Sequence, residues 1–217
     1  MAKVTPSLVV IGPATLVLYH PVLTKTKFDS KTRKSVVDDV NGSYNATFLI
    51  PQSDTVTVEA VKAAYVKAAK ETNSSVEFKD WSKKFTLGEK VIEKAMKKNP
   101  DKSADRMAYM KGMWVLEAKS KFAPDLSKAV GGKAVEVPSE TADREFYSGC
   151  LCKAELNLVG SQIESGENTN RYLTAYVNFI VKVGEGDRLG RKSRDDVFKG
   201  ALGGSSAQDP TSGDEDF

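Results

Sequence analysis

Planar aromatic side chains and cations recur together along this chain. Residues 24–35 hold Lys25, Lys27, Lys31, Arg33 and Lys34 around Phe28, with Asp29 as the one acid. Tyr44 and Phe48 follow within Ser43–Ile50, and Trp114 precedes Lys119 and Lys121. Tyr147 and Lys153 share one alternating segment; Arg171, Tyr172, Tyr176 and Lys182 belong to another. The chemistry open to such a set is non-covalent. Cations neutralise phosphates, and each base stacked on an aromatic plane contributes about 1–3 kcal/mol with little regard to sequence. The pattern predicts a groove for single-stranded nucleic acid. Core packing is the competing reading for Tyr44 and Phe48, which share a face with Ala46 and Ile50, and for Trp114. Phe28, in a polar loop, is hard to place in a core. Residues 79–102, with eight lysines against four acids, read as a solvated helix face.

Covalent and metal chemistry find little material. The chain has one histidine, His20, before a proline, and two cysteines, Cys150 and Cys152. A Cys-x-Cys pair in a strand turns both thiols to one side, a poor geometry for a short disulfide, so both read as small core residues. There is no phosphate-binding glycine loop and no His-Glu-x-x-His. Asp38-Asp39 and Asp195-Asp196 are adjacent carboxylates that point apart in a strand, unlike the converging acids of a two-metal nuclease. No catalytic residue, metal or cofactor is expected.

The elements that must position these groups are mostly strands. Residues 7–19 are β-branched and apolar and predict a strand bent at Gly12-Pro13. Ser43–Ile50 alternates and returns across the basic loop. Asp54-Thr55 opens a helix reaching about Glu71, and Glu89–Lys98 forms a second that stops at Asn99-Pro100. Gly112–Ser120 fits either strand or helix, with strand favoured, and Gly131-Gly132 turns into a short strand at Lys133–Val137. Phe146–Leu158 puts Cys150, Cys152, Ala154, Leu156 and Leu158 on one face. Arg171–Val183 separates Leu173, Ala175, Val177, Phe179, Val181 and Val183 from Tyr172, Thr174, Tyr176, Asn178, Ile180 and Lys182. Five or so mostly antiparallel strands with inserted helices predict a mainly β, OB-type five-stranded barrel. A helix-covered antiparallel sheet of α+β type competes with it.

Charge is distributed unevenly. The chain carries +3 overall; subtracting the −4 of Asp209, Asp214, Glu215 and Asp216 leaves +7 on residues 1–202. Residues 203–217 are Gly/Ser-rich, then acidic, and end in Phe217, a composition that predicts a flexible tail able to occupy a cationic groove. The expected organisation is a barrel domain over 1–202, with a Lys-rich helical insertion around 54–110, and a tail over 203–217. No run approaches the roughly 18 apolar residues of a membrane span, and the N-terminus lacks a signal layout, so a cytosolic protein with no membrane contact is expected.

Three segments carry a resemblance: Ser43-Tyr-Asn-Ala-Thr-Phe-Leu-Ile-Pro51, Phe146-Tyr-Ser-Gly-Cys-Leu-Cys-Lys-Ala-Glu-Leu-Asn157 and Asn178-Phe-Ile-Val-Lys-Val-Gly-Glu-Gly-Asp-Arg-Leu-Gly190. They resemble the single-stranded-DNA-binding proteins of tailed bacteriophages, and the Phe-ended acidic tail is similar to theirs. The likeness spans most of the chain except 72–110. It implies an OB fold and sequence-tolerant binding of single-stranded DNA in replication or recombination, in the cytoplasm of an infected bacterium. It further implies a tail, with Asp214, Glu215, Asp216 and Phe217, that competes with DNA and contacts replication proteins such as a polymerase, helicase or primase; self-association is a further candidate contact. The expected groove residues are Lys25, Lys27, Phe28, Arg33, Tyr44, Trp114, Lys119, Lys121, Tyr147, Lys153, Arg171, Tyr172, Tyr176 and Lys182. The alternative is a non-enzymatic structural or assembly protein of a virion, which accounts for the strands but not for surface aromatics flanked by cations.

Overall fold

The computed structural model describes residues 7–32, 34–98, 104–165 and 168–189. Strand β1 (Ser7–Val17) leads into a two-stranded ribbon, β2 (Thr26–Asp29) and β3 (Lys34–Val37), and then β4 (Tyr44–Pro51). Helix α1 (Thr55–Thr72) is followed by the short β5 (Ser82–Lys83) and β6 (Phe85–Leu87), then α2 (Gly88–Lys98) and a 3-10 segment, Ala104–Met110. Strands β7 (Met113–Ser120), β8 (Asp125–Val130) and β9 (Lys133–Glu136), helix α3 (Ser139–Glu145), and the long hairpin β10 (Leu151–Ser165) and β11 (Asn168–Gly184) complete the order.

Five of these strands close on themselves. β1 pairs antiparallel with both β4 and β10, β4 with β7, and β10 with β11. The circuit is completed by β7 and β11, which run parallel. A closed five-strand circuit with that parallel junction is an OB-type barrel, and closure removes the free edges of its sheet. The interior is filled by alternate residues of each strand, among them Ile11, Leu16, Phe48, Leu116, Leu156, Leu158 and Ile180. The predicted bend in β1 lies where its register with β10 slips, between Ile11 and Ala14. Gly12 has φ of +110° there, and a Cβ on it would stand 2.5 Å from the Cys152 carbonyl oxygen, so only glycine fits.

The two principal helices do different work. α1 begins where Asp54 Oδ1 accepts the Thr57 N–H at 3.1 Å. It buries Val58, Val61, Tyr65, Ala68 and Ala69, packing on β1 and β10. Gly160 of β10 lets it approach, because a Cβ there would run into the Thr72 hydroxyl. α2 and the 3-10 segment instead cover part of the barrel's outside. Ile92 and Met110 form a second small core with Val17, Leu49 and Val115, which point outward from β1, β4 and β7. The lysines of α2 are exposed. The cover stops short of the other end of the same face, where Asn45, Glu117 and Lys119 stay open to solvent.

The structure departs from the sequence reading in several places, one of them the strands β5 and β6 within the 79–102 stretch that reads as a helix face. The basic loop contains the β2–β3 ribbon. β8 and α3 were not signalled: of their side chains only Leu126 and Ala142 are buried. Phe146–Cys150 is not strand; Phe146 ends α3, donating its N–H to Ala142 O at 2.8 Å, and Gly149 has φ of +116°. Tyr147 therefore lies in a turn and does not share a strand face with Lys153. The largest departure is in β11. Glu155 pairs with Phe179 but the next residue, Leu156, pairs with Val177, so Asn178 is an extra residue in the strand. Such a bulge exchanges the two faces beyond it. Phe179 and Val183, expected inside, turn outward, while Ile180 and Lys182, expected outside, turn in. Asn99, Pro100 and the tail 203–217 lie outside the described residues.

Because α1 rests on the bare backbone of Gly160, Gly160→Ala is expected to destabilise the fold by about 1–3 kcal/mol through overpacking. The check is a lowered urea midpoint with an unchanged slope.

Candidate nucleic-acid interface

The open outer face of β4, β7 and β11 carries a continuous track. It consists of two adjoining hollows, of about 650 and 560 Å³, that share Asn45, Lys84, Glu117, Ala118 and Lys119. One half is walled by the ribbon through Lys27, Phe28 and Ser35, and by Tyr19 and His20. The other is walled by the β10–β11 hairpin through Ser161, Ile163, Tyr172 and Tyr176. Strand register explains why these groups meet. Asn45 pairs with Lys119, Lys119 with Tyr176, and Tyr176 with Asn157, so one row crosses four strands from amide to cation to aromatic plane.

The ribbon is fixed to the barrel at its base. Thr26 and Ser43 exchange two backbone hydrogen bonds of 2.9 Å, and the Asn45 amide donates to Thr26 Oγ1 (2.9 Å) and Ser43 O (2.7 Å). Lys121 Nζ donates to Asn41 O (2.8 Å) and Gly42 O (3.1 Å), bracing the return of the ribbon. Asp38 Oδ1 accepts the Asn41 and Val40 N–H groups, and these bonds, the Asn41 one foremost, hold its carboxyl below the usual range. Phe28 stands out from this base, 66% exposed.

The expected groove residues thus fall into separate groups. Lys27, Phe28, Lys119, Tyr172 and Tyr176 line the track. Lys25 lies 5.5 Å from the Tyr44 ring centre and donates to Asp39 O at 3.2 Å, so both residues support the ribbon base. Lys121 is a brace, as above. Trp114 packs on Phe85 with ring centres 4.6 Å apart and lies under Lys62, beside the core. Arg171 Nε donates to Gln162 Oε1 at 3.1 Å across the β10–β11 hairpin, and Lys153 is exposed on β10 away from the track lining. Arg33 and the tail residues Asp214, Glu215, Asp216 and Phe217 lie outside the described residues.

Lys182 is the clearest correction. It was expected beside Tyr172 and Tyr176 on the wet face, but beyond the bulge it is only 7% exposed. Its ammonium meets Glu185 Oε1 at 2.6 Å and Glu145 Oε2 at 3.5 Å, and Lys128 joins Glu145 at 2.6 Å. The Tyr147 phenol donates to Glu185 Oε2 at 2.5 Å, with the Arg188 guanidinium 4.4 Å from its ring centre. Burial works against the Lys182 charge, but Glu185 and Glu145 outweigh it and raise its pKa. Lys182 and then Tyr147 hold the Glu185 carboxyl below the usual range; Lys128 does most of this for Glu145. This network ties the end of β11 to α3 and to the turn before β10.

Tyr19, Asn45, Lys84 and Glu117 were missed. Asn45 had a signal, since Tyr44, Ala46, Phe48 and Ile50 inside β4 leave Asn45 outside. Lys84 was hidden in a stretch read as helix, and it lies between β5 and β6. The two cysteines are core residues as expected, fully buried with sulfurs 3.6 Å apart. The Cys150 sulfur, then burial, pushes the Cys152 thiol up.

Residues 26–210 match the family described as Enterobacter phage Enc34, ssDNA-binding protein. The chain belongs to that family. Its fold is similar to that of the single-stranded DNA-binding protein from bacteriophage Enc34, with a TM-score of 0.56 at 16% identity over 88% of this chain and 90% of that one. It is similar as well to the structure of the Enc34 protein in complex with ssDNA, at TM-score 0.53 and 17% identity over 85% and 90%. No curated protein gives a significant match. Among the described residues no helix is long and apolar enough to cross a membrane.

The Lys182 network carries a pH signature. Both carboxyls are depressed by folding, so their contribution is present above the ordinary carboxylate range and is lost as acid protonates them. Lys182→Met is therefore expected to lower the urea midpoint at pH 7, and the gap to the parent is expected to narrow near pH 3.

Proposed function

We propose that this protein binds single-stranded DNA along the track between the ribbon and the β10–β11 hairpin. The observation that carries the reading is the row Asn45–Lys119–Tyr176, which sets a hydrogen-bonding amide, a cation and an aromatic plane side by side on an open face. Membership of the phage family and the ssDNA complex of its structurally similar member support it. Phosphates run past Lys27, Lys84 and Lys119, while bases stack on Phe28, Tyr172 and Tyr176. Every base offers a π-face, so the preference among sequences is slight. The role is binding rather than catalysis. Membership of a family of ssDNA-binding proteins supports this.

The setting is phage DNA replication or recombination inside an infected bacterium. Residues 1–202 serve as the binding domain. The acidic segment 203–217 competes with DNA for the track, and through Asp214, Glu215, Asp216 and Phe217 it contacts replication proteins such as a polymerase, helicase or primase.

Fluorescence anisotropy with labelled oligo-dT, against a duplex of equal length, tests the reading. Tight, salt-sensitive binding that favours the single strand is expected; equal, weak binding to both overturns it. Tyr172→Ala and Tyr176→Ala are each expected to weaken binding by about 1–3 kcal/mol. Lys119→Ala is expected to flatten the plot of log affinity against log salt by about 0.7. Removal of Asp209–Phe217 is expected to tighten DNA binding; unchanged or weaker affinity overturns the competing role of the tail.

A further inference from the structure

One acid lies in a track whose other described lining residues are cationic, aromatic, neutral polar or aliphatic. Among the described residues Glu117 is the single carboxylate lining either hollow, and it lines both, so it stands where the two halves meet. Its position is built in. The Glu117 N–H donates to Lys84 O at 2.9 Å, and the Lys84 ammonium meets Glu117 Oε2 at 3.1 Å. Backbone and side chain together thus hold this pair in register. Both side chains are more than half exposed, so the ion pair does little for stability. Lys119 follows two residues along the same face of β7.

We infer that Glu117 is an internal phosphate surrogate that restrains DNA binding. This rests on the reading of the track as a single-strand site. Without DNA the carboxylate holds the Lys84 ammonium in the track, where a phosphate oxygen would otherwise sit. An arriving strand displaces it, and its phosphate takes over Lys84. Glu117 then stands unpaired beside a polyanion and recruits a cation from solution, which offsets the counterion that Lys84 releases from the DNA. The residue thereby weakens binding and makes it less salt-dependent, which favours a protein that must leave its strand again. It does so from within the folded barrel, with no help from the tail.

The test is Glu117→Gln in the full chain, titrated against oligo-dT over a salt series, with Glu140→Gln as a charge-matched control on exposed α3. Glu117→Gln is expected to bind about 3- to 10-fold tighter near 50 mM salt, the advantage shrinking as salt rises. Its slope of log affinity against log salt is expected to steepen by about 0.7. Glu140→Gln is expected to bind like the parent, and neither change is expected to move the urea midpoint. An equal gain from Glu140→Gln overturns the inference, since net charge alone then explains it. Unchanged affinity with Glu117→Gln overturns it too. Weaker binding, with a greater loss on oligo-dC than on oligo-dT, overturns it in favour of a carboxylate that accepts from base amino groups. Failure of the parent to prefer single strands overturns the track reading itself, whatever Glu117 does.

Discussion

The parallel junction of β7 and β11 is the constraint on which the rest depends. Without it the strands form an open sheet; with it the circuit closes and the inner face becomes a core. The registers place the small residues Ala46, Ala118 and Ala175 in one inward row across β4, β7 and β11. The same junction sets Lys119 beside Tyr176 on the outside. Closure and the candidate site are thus two sides of one pairing, and a slip of one residue would lose both.

Around that junction the chain divides its outer face between cover and exposure. The Lys-rich insertion shields the end of β4 and β7 that carries Leu49 and Val115, and its lysines remain in solvent. The ribbon and the β10–β11 hairpin rise at the other end as walls. Binding groups tend to sit on segments held by a rigid scaffold, and here the ribbon is tied down by Thr26, Ser43, Asn45 and Lys121.

The bulge at Asn178 has two effects at once. It ends the aromatic stripe of β11 at Tyr176 and carries Lys182 inward to Glu145 and Glu185. A buried ammonium would be costly alone, but two carboxylates and the neighbouring Tyr147 phenol compensate it. A residue that looked like a cation for DNA is a fastener for the end of the barrel.

Much of the fold was legible in the sequence because it rests on local pattern. The bend at Gly12-Pro13, the Asp54 cap, the span of α1 and the alternation within β4, β10 and the first part of β11 all follow from periodicity and turn chemistry. The aromatic and cationic character of the site was legible for the same reason. Which of those groups meet was decided by the tertiary structure alone. Lys27, Phe28, Lys119, Tyr172 and Tyr176 gather; Trp114, Tyr147 and Lys182 do not, and Lys84 and Glu117 enter unannounced. The physical reason is that composition and period assign a residue to a face, whereas one inserted residue in a strand reverses that face, and only closure of the barrel determines which faces adjoin.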